Sequence, residues 1–445
     1  MSAKNMSATA AFAQSAATKL LIIGLNAATG IVTARALAPT GRGELSAMIL
    51  SYSFLACALT LGLPSALTYQ LRKKPEDASD LLGAGLILCL LISGISAIIG
   101  FFFLPLWIPQ YSPTVLFYAR VFLLNTPVAL FFLIGRAAVE SRNGFSASNF
   151  SLFGAPAATL AGLIPLKLMG RLTPVSAAWC YVLPGIPLAL WMLVHILRIF
   201  KPRFHSFFAS VRLLLSYGVR SYGIDLCGTM SLYVDQALVV RLLTPDLMGI
   251  YVVALSLSRL LNAFHTSVVM VLFPRAVSRP PIEVLEMTGR AVRITTVLTV
   301  VCGLGIVAAG PKLLVMLYGA DYRGATGILR ILVLEVILSG ATQVMSQAFM
   351  ALGRPGVITA LQAIGLSLTI PLMLLMIPKL GLTGAALALL ISTCARLTFV
   401  LASFPLLLKL PVPDLLVQRK DITGVSQQIL RGLAVRRTAN AAIEI

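Results

Sequence analysis

Apolar residues along this chain neither alternate nor keep to one helical stripe. They come in long runs, apolar on nearly every side, separated by short clusters of Pro, Gly and charge. A bilayer core takes about 20 apolar helical residues to cross, and runs of that length read as spans rather than buried core helices. Twelve are readable, with cores near 15–37, 45–68, 81–105, 114–138, 146–168, 175–199, 213–240, 247–273, 287–310, 326–351, 356–377 and 383–408. Punctuation falls between them: Arg72-Lys73-Lys74-Pro75-Glu76-Asp77 closes the second, Pro280-Pro281 divides the eighth from the ninth, and Arg354-Pro355-Gly356 divides the tenth from the eleventh. The first run could pass for a signal peptide, but it carries Asn26, Thr29 and Thr33 and has a poor charged start.

Polar positions inside the runs carry the information. In the seventh, Gly218, Tyr222, Asp225, Thr229, Tyr233 and Gln236 share one helical face, with Arg220 and Asp235 beside it. In the tenth, Glu335, Ser339, Thr342 and Ser346 do the same, flanked by Gln343 and Gln347. Arg259, Asn262 and Thr266 align in the eighth, and Asn26, Gly30 and Thr33 in the first. Arg120 lies inside the fourth run and Arg396 inside the twelfth. Ionisable residues at membrane depth are costly and face a cavity or a partner. Small and hydroxylated residues also serve as packing seams between helices, and an arginine near a helix end can snorkel to the interface.

Composition sharpens the class. Of 445 residues, 58% are hydrophobic and 11% charged, against about a quarter charged in soluble domains, and mean hydropathy is +0.94. This excludes a soluble enzyme, a disordered chain and a secreted disulfide scaffold. The six cysteines each sit in a different run and form no C-x-x-C pair, so neither zinc nor a disulfide framework is predicted, and no cofactor is expected. There is no Walker-type phosphate loop and no large loop with paired acids, so the chain does not read as an enzyme.

The net charge of +20 is dispersed between runs, which argues against nucleic acid as a partner. With the N-terminus inside, 22 basic residues fall on the inner side, nine on the outer, and four (Arg120, Arg220, Arg259, Arg396) within spans. The positive-inside rule then predicts both termini in the cytoplasm. The chain after about 409 is basic and weakly amphipathic (Ile429, Leu430 and Leu433 with Arg431, Arg436 and Arg437) and can lie on the anionic leaflet.

The halves resemble each other. An offset of 206 places Arg35, Pro39 and Gly43 on Arg241, Pro245 and Gly249, and Arg142 has its counterpart at Arg354 with an offset of 212. Two six-helix lobes of like orientation fit this, with a ligand held between them. The expected fold is therefore all-α: about twelve transmembrane helices in an N-terminal lobe (1–200), a linker (201–212), a C-terminal lobe (213–408) and a basic tail (409–445).

Three stretches carry a family resemblance. They are Thr29-Gly30 with Ala34-Arg35-Ala36-Leu37-Ala38-Pro39-Thr40-Gly41-Arg42-Gly43-Glu44 and Gly62-Leu63-Pro64-Ser65; Tyr233-Val234-Asp235-Gln236 with Gly249-Ile250-Tyr251 and Leu272-Phe273-Pro274-Arg275; and Leu317-Tyr318-Gly319 with Tyr322, Ala351-Leu352-Gly353-Arg354 and Gly381-Leu382-Thr383-Gly384-Ala385-Ala386. These resemble the Wzx-type polysaccharide flippases of the multidrug/oligosaccharidyl-lipid/polysaccharide exporter superfamily. The resemblance implies alternating access by undecaprenyl-pyrophosphate-linked repeat units, coupled to H+ or Na+, with membrane lipids, a polymerase and other assembly proteins as partners. It matches Asp235 to the family's Asp-Gln position and Arg35 to the arginine ending the first helix.

From the residues themselves, Arg120, Arg220 and Arg259 are candidates for holding substrate, because a guanidinium fork grips two phosphate oxygens at once, and the resemblance adds Arg35 to them. Tyr222 and Tyr233 are candidates for stacking on sugar rings, with Asn262 beside them. Asp225, Asp235 and Glu335 are candidates for ion coupling, and Asp235 could equally serve as counter-charge to Arg241 or another cation. A drug/cation antiporter of the same superfamily is the rival reading, and a membrane glycosyltransferase or ligase a more distant one.

Overall fold

The computed structural model describes residues 8–277 and 279–415; the amphipathic stretch 429–437 lies outside them. Fourteen α-helices run in order: α1 (Ala8–Ala58), α2 (Leu63–Lys73), α3 (Ala78–Trp107), α4 (Pro113–Phe122), α5 (Thr126–Ser141), α6 (Phe145–Leu168), α7 (Pro174–Val182), α8 (Gly185–Phe200), α9 (Phe207–Leu242), α10 (Pro245–Ser258), α11 (Asn262–Ala276), α12 (Pro281–Tyr318), α13 (Ala325–Ala351) and α14 (Pro355–Ser403). Proline opens α4, α7, α10, α12 and α14, where its missing N–H leaves nothing unbonded.

Helices and crossings do not correspond one to one. α1 changes direction at Ala38 (φ 56°), just before Pro39, and α14 at Gly381 (φ 58°). Glycine adopts that backbone freely, whereas alanine does so only when its surroundings impose it. The limbs of α14 form a hairpin: the Ser392 hydroxyl donates to the Gly365 carbonyl at 2.9 Å and Thr369 donates to Ser392 at 2.7 Å. Conversely α4 with α5, α7 with α8, and α10 with α11 each make one interrupted span. Among the described residues nine stretches are long and apolar enough to cross a membrane. Two of these are the bent helices and contribute two crossings each, and α9, 36 residues long but rich in polar groups, is the twelfth. The protein is thus an all-α, multi-pass membrane protein. Its periphery agrees: α3 exposes Leu90, Leu91, Ile95, Ile98 and Phe102 outward, as a lipid-facing surface does.

Twelve crossings return the chain to the face from which it started, called here the near face. At the far face one hydrophobic core joins both halves of the chain, from Leu45, Trp107 and Phe122 to Tyr251, Leu332 and Met373. At the near face the cores are separate. One holds Leu67, Leu82, Ile134 and Ile196, the other Leu272, Val284, Phe349 and Phe404. The start of α9 belongs to the former through Leu214, so the seventh span leans on the first half of the chain.

The far-face junction is reciprocal. A Cβ on Gly43 would lie 1.7 Å from the Pro245 carbonyl oxygen, and one on Gly249 would lie 2.0 Å from that of Pro39. These residues are equivalent under the offset of 206, so a pseudo-twofold axis passes between the two glycines. The ends of the first and seventh spans obey the same symmetry. Tyr322 donates to the Ala34 carbonyl and Arg35 to that of Met316, at 3.2 and 2.7 Å. Trp107 and Gln110 donate to the carbonyls of Ala237 and Arg241, at 2.9 and 2.8 Å.

Because backbone atoms occupy the space a methyl would need, Gly43→Ala should destabilise the protein by about 2 kcal/mol or more. Gly24→Ala, which meets nothing within 4 Å, should be close to neutral. Thermal unfolding of the purified variants in detergent checks both.

Candidate functional site

The tenth-span seam lines a cavity. Glu335, Ser339, Thr342 and Ser346 recur at three- and four-residue spacing along α13 and stand on one wall with Gln343 and Gln347. Opposite them a 3-10 turn over Arg259–Leu261 interrupts the eighth span and turns Arg259, Asn262 and Thr266 inward. Ser231 of α9, Gln362 and Arg396 of α14, and the apolar Leu232, Val336, Ile358 and Leu361 complete the lining of a space of about 520 Å³, within the usual size of ligand sites. Behind the wall His265, fully buried, fits over Gly340: a Cβ there would meet the imidazole at 1.9 Å. Gly340 is the notch that lets α11 and α13 close on each other.

Four charges gather at the deep end. Asp235, 2% exposed, pairs with Arg259 at 3.1 Å and accepts the Tyr251 hydroxyl at 3.0 Å. Glu335 stands 3.9 Å from Arg396 and accepts the Thr393 hydroxyl at 2.8 Å, while Arg396 donates to Thr393, also at 2.8 Å. The stem of Arg396 lies against Gly365, where a Cβ would fall 2.3 Å from its Cδ. All four charges also border a smaller space of about 70 Å³. Two guanidinium groups meet two carboxylates, so the cluster carries no net formal charge. Asp235 Oδ1 and Arg396 Nε, both buried, have no hydrogen-bond partner among the described residues.

Of the ten residues singled out from sequence, four meet here: Arg259, Asn262, Glu335 and Asp235. The seventh-span seam goes elsewhere. Asp225 accepts both its hydrogen bonds from Ser65 of α2, at 2.8 and 3.0 Å, and Tyr222 donates to the Ala58 carbonyl. Gly218 packs so closely that its Cβ would meet the Leu61 carbonyl at 2.6 Å. That face is a helix-packing seam against the first half of the chain, as small and polar residues in membranes often are. Tyr233 packs edge-on against Phe54, ring centroids 6.5 Å apart. Arg120 lies over the Phe101 ring on α3, 4.5 Å from its centroid, away from the cavity. Arg35 serves the far-face junction, and Arg220 is exposed on α9. The first-span seam spends its hydroxyls within its own helix, Thr29 on Asn26 and Thr33 on Thr29. Sequence reasoning passed over Arg396 as a site residue. Its signal was there: an arginine in mid-span faces a cavity or a partner, and Thr393 lies one turn before it.

A family described as "Polysaccharide biosynthesis protein" matches residues 12–278, more than half of the chain. The chain belongs to that family. A probable low-salt glycan biosynthesis flippase, Agl15 of Haloferax volcanii, is 22% identical over 185 residues; the match spans 41% of this chain and only 39% of that protein. Among solved structures, the lipid II flippase MurJ in an inward closed conformation superimposes with a TM-score of 0.76 at 16% identity, over 96% of this chain and 92% of the other. An inward-facing multidrug resistance MATE transporter of the MOP superfamily does so with 0.68 at 15% identity, over 84% and 91%. At these identities the superpositions establish the fold of this polysaccharide biosynthesis family member and nothing more. The four-charge cluster falls in the same chain as the matched family segment but partly beyond it, since Glu335 and Arg396 follow residue 278.

Asp235→Asn removes the counter-charge of Arg259, and should cost about 2–3 kcal/mol, the low end of the range for a buried pair because Arg259 is 36% exposed. Adding Arg259→Gln should recover part of that loss, since both charges then vanish together. A double-mutant cycle of thermal unfolding in detergent reads the coupling directly.

Proposed function

We propose that this protein is a flippase for a lipid-linked oligosaccharide, in the bacterial case an undecaprenyl-pyrophosphate-linked repeat unit, carried from the cytoplasmic to the outer leaflet. The observation that carries this reading is a cavity of about 520 Å³ in which amide and hydroxyl groups share the walls with a few aliphatic side chains and the paired charges, inside an otherwise apolar membrane body. A sugar headgroup is neutral and dense in hydroxyls, each able to donate and accept. Gln343, Gln347, Gln362, Asn262, Ser339 and Thr342 offer both roles, and the paired charges behind them give hydrogen bonding without net charge. A cation antiporter needs a carboxylate free for its substrate, whereas Asp235 and Glu335 each have an arginine.

In this reading the two halves of the chain are the moving lobes, hinged at the far-face junction where Gly43 meets Gly249. The separate near-face cores allow each half to move as a packed body. The basic excess of the inner segments supports a cytoplasmic near face, which in this reading receives the substrate.

In cells lacking the protein, lipid-linked repeat units should accumulate on the inner leaflet; unchanged levels and sidedness would sink the proposal. In proteoliposomes, Gln343→Ala with Gln347→Ala should slow flipping of a lipid-linked oligosaccharide roughly tenfold or more, as two neutral hydrogen bonds at about 1 kcal/mol each require. The flipping of a fluorescent phospholipid should not respond.

A further inference from the structure

A second recess opens at the near end of α2. It measures about 590 Å³ and is bordered by Ser65, Thr68, Tyr69, Arg72 and Lys73 on one side and Tyr217 of α9 on the other. Its chemistry differs from that of the cavity around Glu335. Tyr69 and Tyr217 lie stacked, 4.3 Å between centroids and 10° between planes, and the Lys73 ammonium sits over the Tyr69 ring at 5.3 Å. Arg72 donates to the Glu140 backbone carbonyl at 3.3 Å. Among the described residues neither Arg72 nor Lys73 has a carboxylate within ion-pair distance. Of the acids close by in sequence or space, Asp77 pairs with Lys74 at 3.7 Å, Glu140 pairs with Arg136 at 3.5 Å, Asp225 accepts the Ser65 hydroxyl, and Glu76 is exposed and makes no ion pair among the described residues.

The two sites therefore divide the charge. In the second half of the chain every cavity arginine is matched by a carboxylate. At the end of α2 two cations are exposed and without a carboxylate partner, Lys73 against the Tyr69 ring and Arg72 against the Glu140 carbonyl. Positive-inside topology accounts for basic residues at this end of the helix, but it does not call for a tyrosine pair joining α2 to α9 or for a recess of ligand size beneath the cations.

We propose that this recess is a phosphate-binding site, holding the diphosphate of the lipid-linked substrate while the sugars occupy the polar cavity of the second half. The proposal rests on the flippase reading above and locates the phosphate within it. The Arg72 fork takes two phosphate oxygens and Lys73 a third as a point charge, while the tyrosine faces pack the first sugar or isoprene unit. Binding at this end leaves the lipid tail in the leaflet next to the near face.

Binding is measured on the full-length protein in detergent with three probes: farnesyl diphosphate, inorganic pyrophosphate and uncharged farnesol. Farnesyl diphosphate should bind, and R72Q/K73Q should weaken it at least tenfold, while the charge-preserving R72K/K73R stays within about threefold of wild type. K74Q removes one equal charge from outside the recess and should change nothing. Competition by pyrophosphate shows that the phosphate is what the site reads, and weaker binding of pyrophosphate than of farnesyl diphosphate assigns the site to a lipid headgroup rather than a free anion. If R72Q/K73Q unfolds at the wild-type temperature and binds farnesyl diphosphate as tightly as wild type, the recess is not the site, whereas the flippase reading stands. If wild type binds farnesol as well as farnesyl diphosphate, or binds neither, the phosphate proposal fails together with the lipid-linked substrate it presumes.

Discussion

A charge buried in a membrane protein must find its opposite within a few ångströms, and much of this fold follows from that constraint. Asp235, Arg259, Glu335 and Arg396 come from four different spans, so satisfying them fixes how α9, the 3-10 break before α11, α13 and the second limb of α14 stand relative to one another. Gly365 and Gly340 exist in service of the same closure, one admitting the arginine stem and the other the His265 ring. The cavity is what remains when these helices, tied at the charge cluster, keep their hydroxyl and amide faces turned toward each other. Polarity that would be expensive against lipid is thereby concentrated in one enclosed place.

The same accounting explains the contrast between halves. In the second half the arginines are neutralised internally and the surface left for a ligand is one of dipoles. At the near end of α2 the cations are left to solvent, where hydration makes them tolerable, with the Tyr69 ring beside Lys73 and the Glu140 carbonyl beside Arg72. A ligand with an anionic link between a sugar and a lipid has matching needs at each end.

The architecture was legible in the sequence because apolar runs and breakers act locally. The crossings fall where the runs predict, and the bends at Ala38 and Gly381 come in the short Pro- and Gly-containing breaks between one run and the next. The tenth-span seam was legible too, since Glu335 has no reason to sit in mid-helix except to face a cavity or a partner. What periodicity could not give was which neighbour each face meets. The seventh-span seam has the same signature as the tenth, yet Gly218, Tyr222 and Asp225 press on the end of α1, the turn after it and the start of α2, while Ser231 and Asp235 turn to the cavity side. The difference lies in Gly62 and Ser65, more than 150 residues away. Arg120 illustrates the same limit: mid-span arginine reads as a ligand, but an aromatic face one helix away can hold it instead.

The contact between Gly43 and Gly249 has the form of an isologous interface, in which each partner presents the same patch to the other. Such contacts are native to twofold dimers of identical chains. Here both copies are written in one polypeptide, so the chain has the geometry of a six-helix protein duplicated and fused about its own dimer axis. The two halves differ in their charges but not at the axis, where a side chain added on either one meets the backbone of the other. Neither half can change at that point without the consent of its twin.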